Sequence, residues 1–187
     1  NYNILLTPDD LQNIRLTNGK FNIFKLLFII CSKDKKNRDI TLVIKKNISQ
    51  LGHPLKTLKE LGEEYSITKE RARQIVKKSR KKIIRLVSDL KKNFSEMFIC
   101  ESYFQISSIT LLSDEKINSI LKLLELNVEK RFLIEIFEVI YSEIFYFLNF
   151  KNYYLLIPSE YKTFNFKGYL SFLSDKLTSK KKLDISV

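Results

Sequence analysis

The chain of 187 residues has room for one ordinary domain or two small ones, and its apolar content of 44% is enough to build a core. A formal net charge of +12 favours a polyanionic partner. One histidine and two well-separated cysteines, Cys31 and Cys100, exclude most catalytic triads and His-ligated metal sites. We therefore predict no enzyme activity, no metal and no cofactor, and we expect both cysteines to be buried, reduced thiols of a cytoplasmic protein.

The first fifty residues are predicted to be mostly helical. The segment Thr7-Pro8-Asp9-Asp10 has the composition of a helix start, so a short helix should follow it. Residues 21–31 are almost wholly apolar and form either a helix or a buried strand, because periodicity does not decide between them. They are too few to cross a bilayer and include Lys25, so no membrane segment is predicted. Residues 39–50 are predicted to form a supporting helix.

Residues 57–83 predict two helices joined by a tight turn. Thr57 and Glu60 have the spacing of a capping box, which marks the start of the first helix. Gly62 has no side chain and should let the second helix cross close by. Residues 65–67 form the turn, and Thr68 is a second N-cap. The second helix is predicted to continue to about residue 92.

The outward face of the second helix combines cations with amide and carboxylate groups. Arginine can bind guanine, glutamine can bind adenine and glutamate can accept from cytosine, so these side chains suit base reading. The base-reading residues predicted in this way are Lys69, Glu70, Arg73 and Gln74. Residues 56–92 contain 13 Lys and Arg against 5 Asp and Glu, whereas residues 93–160 contain 5 against 10. The alternative to a DNA-binding surface is a solvated, charged helix face.

The stretch TLKELGEEYSITKERARQI closely resembles the region 4 helix-turn-helix of sigma-70-type factors, the part that reads the −35 promoter element. The resemblance covers residues 38–87 and is loose before residue 57, so it indicates a DNA-reading module and not a complete sigma factor. It implies that the four residues above face bases. A further set would lie nearer the phosphates: Arg71, Lys77, Lys78, Arg80, Lys81 and Lys82.

The composition after residue 93 is aromatic and acidic. A helix capped by residues 113–115 is predicted to run through Leu126, followed by a longer helix over 129–148 that is either the centre of a packed domain or a dimer interface. Residues 153–157 are predicted to form a strand, which could belong to a winged helix. One more helix is predicted over 164–178.

These patterns predict a mainly α protein with a minor, winged-helix-like β element. The predicted parts are a helical extension (1–35), a helix-turn-helix domain (36–92), a helical packing or dimerisation domain (93–178) and a tail expected to be disordered (179–187). The predicted function is sequence-specific binding of double-stranded DNA by a nucleoid-associated regulator of transcription. Two alternatives are a module that binds RNA polymerase or another partner, and the DNA-targeting domain of a larger mobile-element or defence protein. A homodimer is a further possible state.

Overall fold

The computed structural model describes residues 7–16, 19–33, 38–98, 109–150 and 153–183, without the side chains of 31–32, 94–98 and 176–183. The predicted burial of the Cys31 and Cys100 thiols lies outside this description. The chain divides into a first unit, Asn1–Gln105 with Asp114–Tyr141, and a second unit, Ile106–Ser113 with Ser142–Val187. The helices are α1 (Pro8–Ile14), α2 (Ile23–Lys33), α3 (Arg38–Asn47), α4 (Leu58–Glu64), α5 (Lys69–Phe98), α6 (Asp114–Leu124), α7 (Lys130–Ile140) and α8 (Phe166–Leu183). The strands are β1 (Ile48–Gln50), β2 (Thr110–Leu111), β3 (Leu126–Val128), β4 (Phe145–Phe150) and β5 (Tyr153–Pro158).

The predicted mainly α fold with a minor β element is confirmed over these residues. The helix α1 starts where the sequence predicts it, with Pro8 in the first turn, and the Thr7 and Asp10 side chains form a capping box there. The apolar segment that the sequence left open is the helix α2. Its start is fixed by Asn22, whose side-chain oxygen accepts the backbone N–H groups of Phe24 and Lys25, both at 3.1 Å.

The helices α3, α4 and α5 pack together and form the centre of the first unit. Their contact is made by apolar side chains that are fully buried: Leu42, Val43, Leu61, Ala72 and Ile83. Burial of a large aliphatic side chain contributes about 1.5–3 kcal/mol, so this contact fixes α5 firmly on the other two helices.

The supporting helix α3 ends at Asn47, not at residue 50 as predicted. The next three residues form β1, which pairs antiparallel with β3, with Ile48 opposite Val128. Both side chains are buried, and the pairing satisfies backbone groups that a longer helix would have satisfied internally. The chain thereby joins the end of α3 to the start of α7.

The predicted break at residue 93 does not coincide with the division into units. The helices α6 and α7 belong to the first unit, because α7 packs on α5 and β3 pairs with β1. Six side chains of α7 are buried within this unit: Phe132, Leu133, Ile134, Ile136, Phe137 and Ile140. The core role for this helix is therefore confirmed, and its apolar side is not available as a dimer interface.

The long helix predicted over 129–148 is wrong in its second half, since α7 ends at Ile140 and residues 145–150 form β4. Phe145 and Phe147 alternate with less buried residues, which is the period of a strand. Their partners in β5 are Pro158 and Leu156. Aromatic residues favour strands once a partner strand is present, and that partner lies later in the chain.

The second unit contains an antiparallel sheet with the strand order β2-β5-β4, a 3₁₀-helix at Ser159–Tyr161 and α8. The predicted strand over 153–157 is confirmed as β5. Within the described part of this unit α8 is the one α-helix, so a winged helix with its own helix pair is not formed there. The helix α8 continues to Leu183, five residues into the predicted tail, and residues 184–187 lie outside the description. None of the helices, over the described residues, is long and apolar enough to cross a membrane.

Candidate nucleic-acid interface

The pair α4 and α5 begins with the two caps that the sequence predicts. The backbone N–H of Glu60 donates to the Thr57 hydroxyl at 3.2 Å, and the N–H of Thr57 donates to the Glu60 carboxylate at 2.6 Å. The Thr68 hydroxyl accepts the N–H of Arg71 at 3.1 Å at the start of α5. Each cap satisfies a backbone donor that would otherwise lack a partner, so both helix starts are fixed by local sequence.

The turn between the helices is tight, and Gly62 makes it possible. A Cβ atom at Gly62 would lie 2.8 Å from the backbone oxygen of Ile67 and 3.4 Å from the nitrogen of Lys69. The glycine therefore makes room for the turn and for the first residue of α5, and not for a crossing further along that helix. The turn also holds Ser66 at a φ of 52°, in the left-handed region that costs a residue with a side chain about 1 kcal/mol.

Two cations of α3 hold the end of α4. The Arg38 guanidinium lies 5.3 Å from the centre of the Tyr65 ring and donates to the Tyr65 carbonyl oxygen, while the Lys45 ammonium lies 5.3 Å from the same ring. Lys45 also forms an ion pair with Glu64, which raises the pKa of Lys45 and lowers that of Glu64. The sequence did not indicate this role for Arg38 and Lys45, because cation–aromatic contacts across 20 or more residues have no local pattern.

The inner side of α5 is apolar and its outer side is charged. Ala72 and Ile83 are fully buried, as is the Ser79 hydroxyl, which has no hydrogen-bond partner among the residues that the structure describes. All four predicted base-reading residues are exposed to solvent: Lys69, Glu70, Arg73 and Gln74. Five of the six predicted phosphate contacts are exposed as well: Arg71, Lys77, Lys78, Lys81 and Lys82.

Three of the predicted base-reading side chains contact one another. The Nε and Nη2 groups of Arg73 donate to the Glu70 carboxylate at 2.8 and 2.7 Å, and the Gln74 amide donates to it at 3.4 Å. The hydrogen bond from Arg73 lowers the pKa of Glu70. Glu70 thus orients an arginine fork and an amide on the first two turns of α5, with more than half of the Arg73 side chain exposed.

Arg80 does not belong with the phosphate-binding set that the sequence predicted. Its Nε donates to Glu135 at 2.6 Å, its Nη2 lies 3.3 Å from Glu129, and its guanidinium stacks 5.2 Å from the centre of the Phe132 ring. Only 20% of the Arg80 side chain is exposed. These contacts join α5 to α7. They also occupy the guanidinium of Arg80, so it is not available to a phosphate.

Six other cations on α5 are not neutralised by any carboxylate of the described residues. Over the residues that the structure describes, no carboxylate forms an ion pair with Arg71, Lys77, Lys78, Lys81, Lys82 or Arg85. Like charges so close together repel one another in the free protein. An anionic partner would relieve that repulsion, so the surface is suited to a polyanion.

A groove of about 830 Å³ runs beside α5 within the first unit. Arg73 and Lys77 line this groove. It is also lined by three cations that were not predicted from the sequence: Lys46, Arg85 and Arg131. Arg131 was missed because it lies in the acidic part of the chain, where charge counted along the sequence argues against an anion site. Among the residues with described side chains, no group of three or more metal-binding residues occurs.

No protein-family profile, no curated protein and no solved structure matches this chain. The proposal for its function therefore depends on the chemistry and the geometry of the chain itself.

Proposed function

We propose that this protein binds double-stranded DNA sequence-specifically through α5 and regulates transcription, with α4 and α5 acting as a helix-turn-helix of the sigma region 4 type. The observation that supports this most strongly is the outer side of α5. It joins the oriented Glu70–Arg73–Gln74 group to a row of cations that no carboxylate of the described chain neutralises. A merely solvated face needs neither the fork geometry nor the excess of one charge.

The position of a residue along α5 determines whether it would contact bases or phosphates. Glu70, Gln74, Lys77 and Lys81 follow one another at intervals of three or four residues and so share one face. The first two lie where a recognition helix meets base edges, and an arginine or glutamine paired with its base contributes about 1–3 kcal/mol of discrimination. The lysines lie further along the same face and would bind phosphates.

The length of α5 fits this division. It has 30 residues, which corresponds to about 45 Å, whereas the major groove is about 12 Å wide. The N-terminal turns can enter the groove only if the remainder of the helix leaves it and passes over the backbone. Lysines are suited to that second part, because phosphate contacts need charge and no fixed donor pattern.

The proposal is tested by selecting sequences from a randomised duplex library with the purified chain and measuring affinity by fluorescence anisotropy. A recovered consensus that binds at least about 1000-fold more tightly than random duplex, with affinity falling steeply as salt rises, supports sequence-specific binding. Equal affinity for all duplexes would support only a nonspecific DNA-binding protein. Absence of duplex binding at low salt would refute the proposal.

A protein partner such as RNA polymerase is a second candidate, favoured by exposed aromatic side chains in the second unit. Phe164, Tyr169 and Phe172 are 50, 51 and 54% exposed, and Phe164 packs edge-to-face on Phe166 with the ring centres 4.5 Å apart. Clusters of exposed aromatics mark protein contacts more often than free surface. Pull-down of purified polymerase without DNA tests this role, and a Phe164→Ser/Phe172→Ser variant should weaken it while leaving DNA affinity unchanged.

A further inference from the structure

A helix lying in the major groove has a phosphate backbone on each of its flanks. On one flank of α5 the spacing of seven and four residues aligns Arg71, Lys78 and Lys82. On the other flank lie Arg73 and Arg80, seven residues apart. Arg73 is bound by the Glu70 carboxylate, and Arg80 is bound by two carboxylates. On this side of α5, Lys77, Lys81 and Arg85 also line the groove, and they have no carboxylate partner among the described residues.

The groove beside that flank supplies cations from other elements. Lys46, near the end of α3, and Arg131, in the first turn of α7, line the same groove as Arg73, Lys77 and Lys81. The groove is open, so a strand of sugar and phosphate can lie along it beside α5.

The side chains of Arg131 and Lys46 both have hydrogen-bond donors that are not used within the described chain. The Arg131 side chain is 72% exposed, and its Nε donates to Glu135 at 3.1 Å. No other hydrogen bond of its guanidinium occurs within the described chain, which leaves the two terminal nitrogens for a ligand. Lys46 has no ion pair among the described residues and is half-buried against the groove wall.

The carboxylate of Glu135 orients the two arginines on the α7 side of the groove. Glu135 accepts from Arg80 on one oxygen and from Arg131 on the other. Arg80 and Arg131 together balance the charges of Glu129 and Glu135, and the two terminal nitrogens of Arg131 form no hydrogen bond within the described chain. An arginine oriented through one edge with its other edge free has the donor arrangement that binds phosphate oxygens bidentately.

We propose that Lys46 and Arg131 bind the phosphate backbone on the α7 side of α5, so that the DNA site includes α3 and α7 as well as α5. This inference rests on the proposed binding of duplex DNA. It assigns a nucleic-acid contact to the acidic part of the chain, which its net charge alone would exclude.

The test compares Lys46→Ala/Arg131→Ala with Lys122→Ala/Lys162→Ala, which removes two exposed cations that do not line the groove. Two lost phosphate contacts should weaken binding about 30-fold at 0.15 M salt, on random and selected duplexes alike, and should reduce the slope of log K against log salt by about 1.8. The control variant should bind like the wild type. Since Lys46 has no ion pair among the described residues, Lys46→Ala alone should fold normally and weaken binding about five-fold. Arg131→Lys should lose part of the Arg131 contribution, because lysine cannot bind a phosphate bidentately.

The inference is overturned if the double variant and its control bind equally while substitution of Lys77 and Lys81 still weakens binding. In that outcome α5 binds DNA without a contribution from Lys46 and Arg131. If the wild-type chain fails to bind duplex at low salt, the proposed function itself is refuted and this inference with it.

Discussion

The two sides of α5 carry the same kind of charge and use it differently. Arg80 and Lys81 are adjacent in sequence, yet Arg80 is paired with Glu129 and Glu135, whereas Lys81 is exposed and has no carboxylate partner within the described part of the chain. The paired cation stabilises the fold, and the unpaired one remains available to a ligand. A binding surface is therefore indicated by the cations that keep exposed donors, and not by the number of cations in a stretch of sequence.

The largest expected effect is on DNA affinity. Replacing three of the lysines that have no ion pair among the described residues, in Lys77→Ala/Lys81→Ala/Lys82→Ala, should lower affinity for any duplex on the order of 100-fold at 0.15 M salt, because three phosphate contacts are lost. Anisotropy titrations over a range of salt concentrations measure this. A variant with the same loss of charge elsewhere, Lys122→Ala/Lys162→Ala/Lys167→Ala, should bind nearly as well as the wild type. Similar losses in the two variants would show that only net charge matters.

The same substitution at two adjacent positions separates the two sides of α5. Arg80→Met should lower the free energy of unfolding by about 2 kcal/mol, because Glu129 and Glu135 lose a partly buried partner. Lys81→Met should leave stability within about 0.5 kcal/mol and weaken binding of all duplexes about five-fold. Denaturant unfolding and anisotropy give both numbers. The distinction between the two positions fails if the two variants lose stability and duplex affinity to the same extent.

A smaller and more selective effect is expected at the first turns of α5. Arg73→Ala should cost about 1–3 kcal/mol on the selected duplex and much less on random DNA, because a base contact is lost and the phosphate contacts remain. Lys81→Ala is the matched comparison, since it should weaken both duplexes alike. Equal losses on selected and random DNA for both variants would argue against the division between bases and phosphates.

The smallest expected effect concerns acid stability, and it tests the paired cations again. Ion pairs and capping hydrogen bonds lower the pKa of Asp10 to about 2 and lower the pKa of Glu60 and Glu64. Since these folded-state pKa values lie below the ordinary ones, the stability they contribute is complete above about pH 4.5 and is lost as the pH falls toward 2. The melting temperature should drop over that interval.

Glu64→Gln provides the control for that experiment, because it removes the partner of Lys45 and Lys56. Its melting temperature should be lower than that of the wild type at neutral pH, and it should fall less between pH 4.5 and 2. An identical acid dependence in the variant and the wild type would show that these pairs contribute nothing to stability.

The parts of the site that sequence predicts are those fixed by neighbours in the chain. The caps at Thr57 and Thr68 and the burial of Ala72 depend on residues within a few positions, and all three are found. Arg80 was misassigned because its partners lie 49 and 55 residues away. Periodicity shows that a side chain lies at the edge of a helix face but not what packs beside it.

The fold likewise depends on pairing between distant segments, which local sequence patterns do not show. The three-residue strand β1 exists because β3 pairs with it, and a segment that short has no signal of its own. The run over 129–148 is apolar around most of a helix circumference, so its sequence is compatible with one helix, whereas the structure divides it between α7 and β4. Long-range pairing determined both results, and local propensity did not oppose it.

The most direct test places a photo-crosslinking amino acid on the outer side of α5. With p-benzoylphenylalanine in place of Gln74, irradiation of the complex with the selected duplex should give a covalent product that maps to bases within the selected site. The same amino acid in place of Lys122, on the exposed side of α6, should give none. Crosslinking from position 122 but not from position 74, or equal yields from both, would contradict the claim that α5 enters the DNA groove.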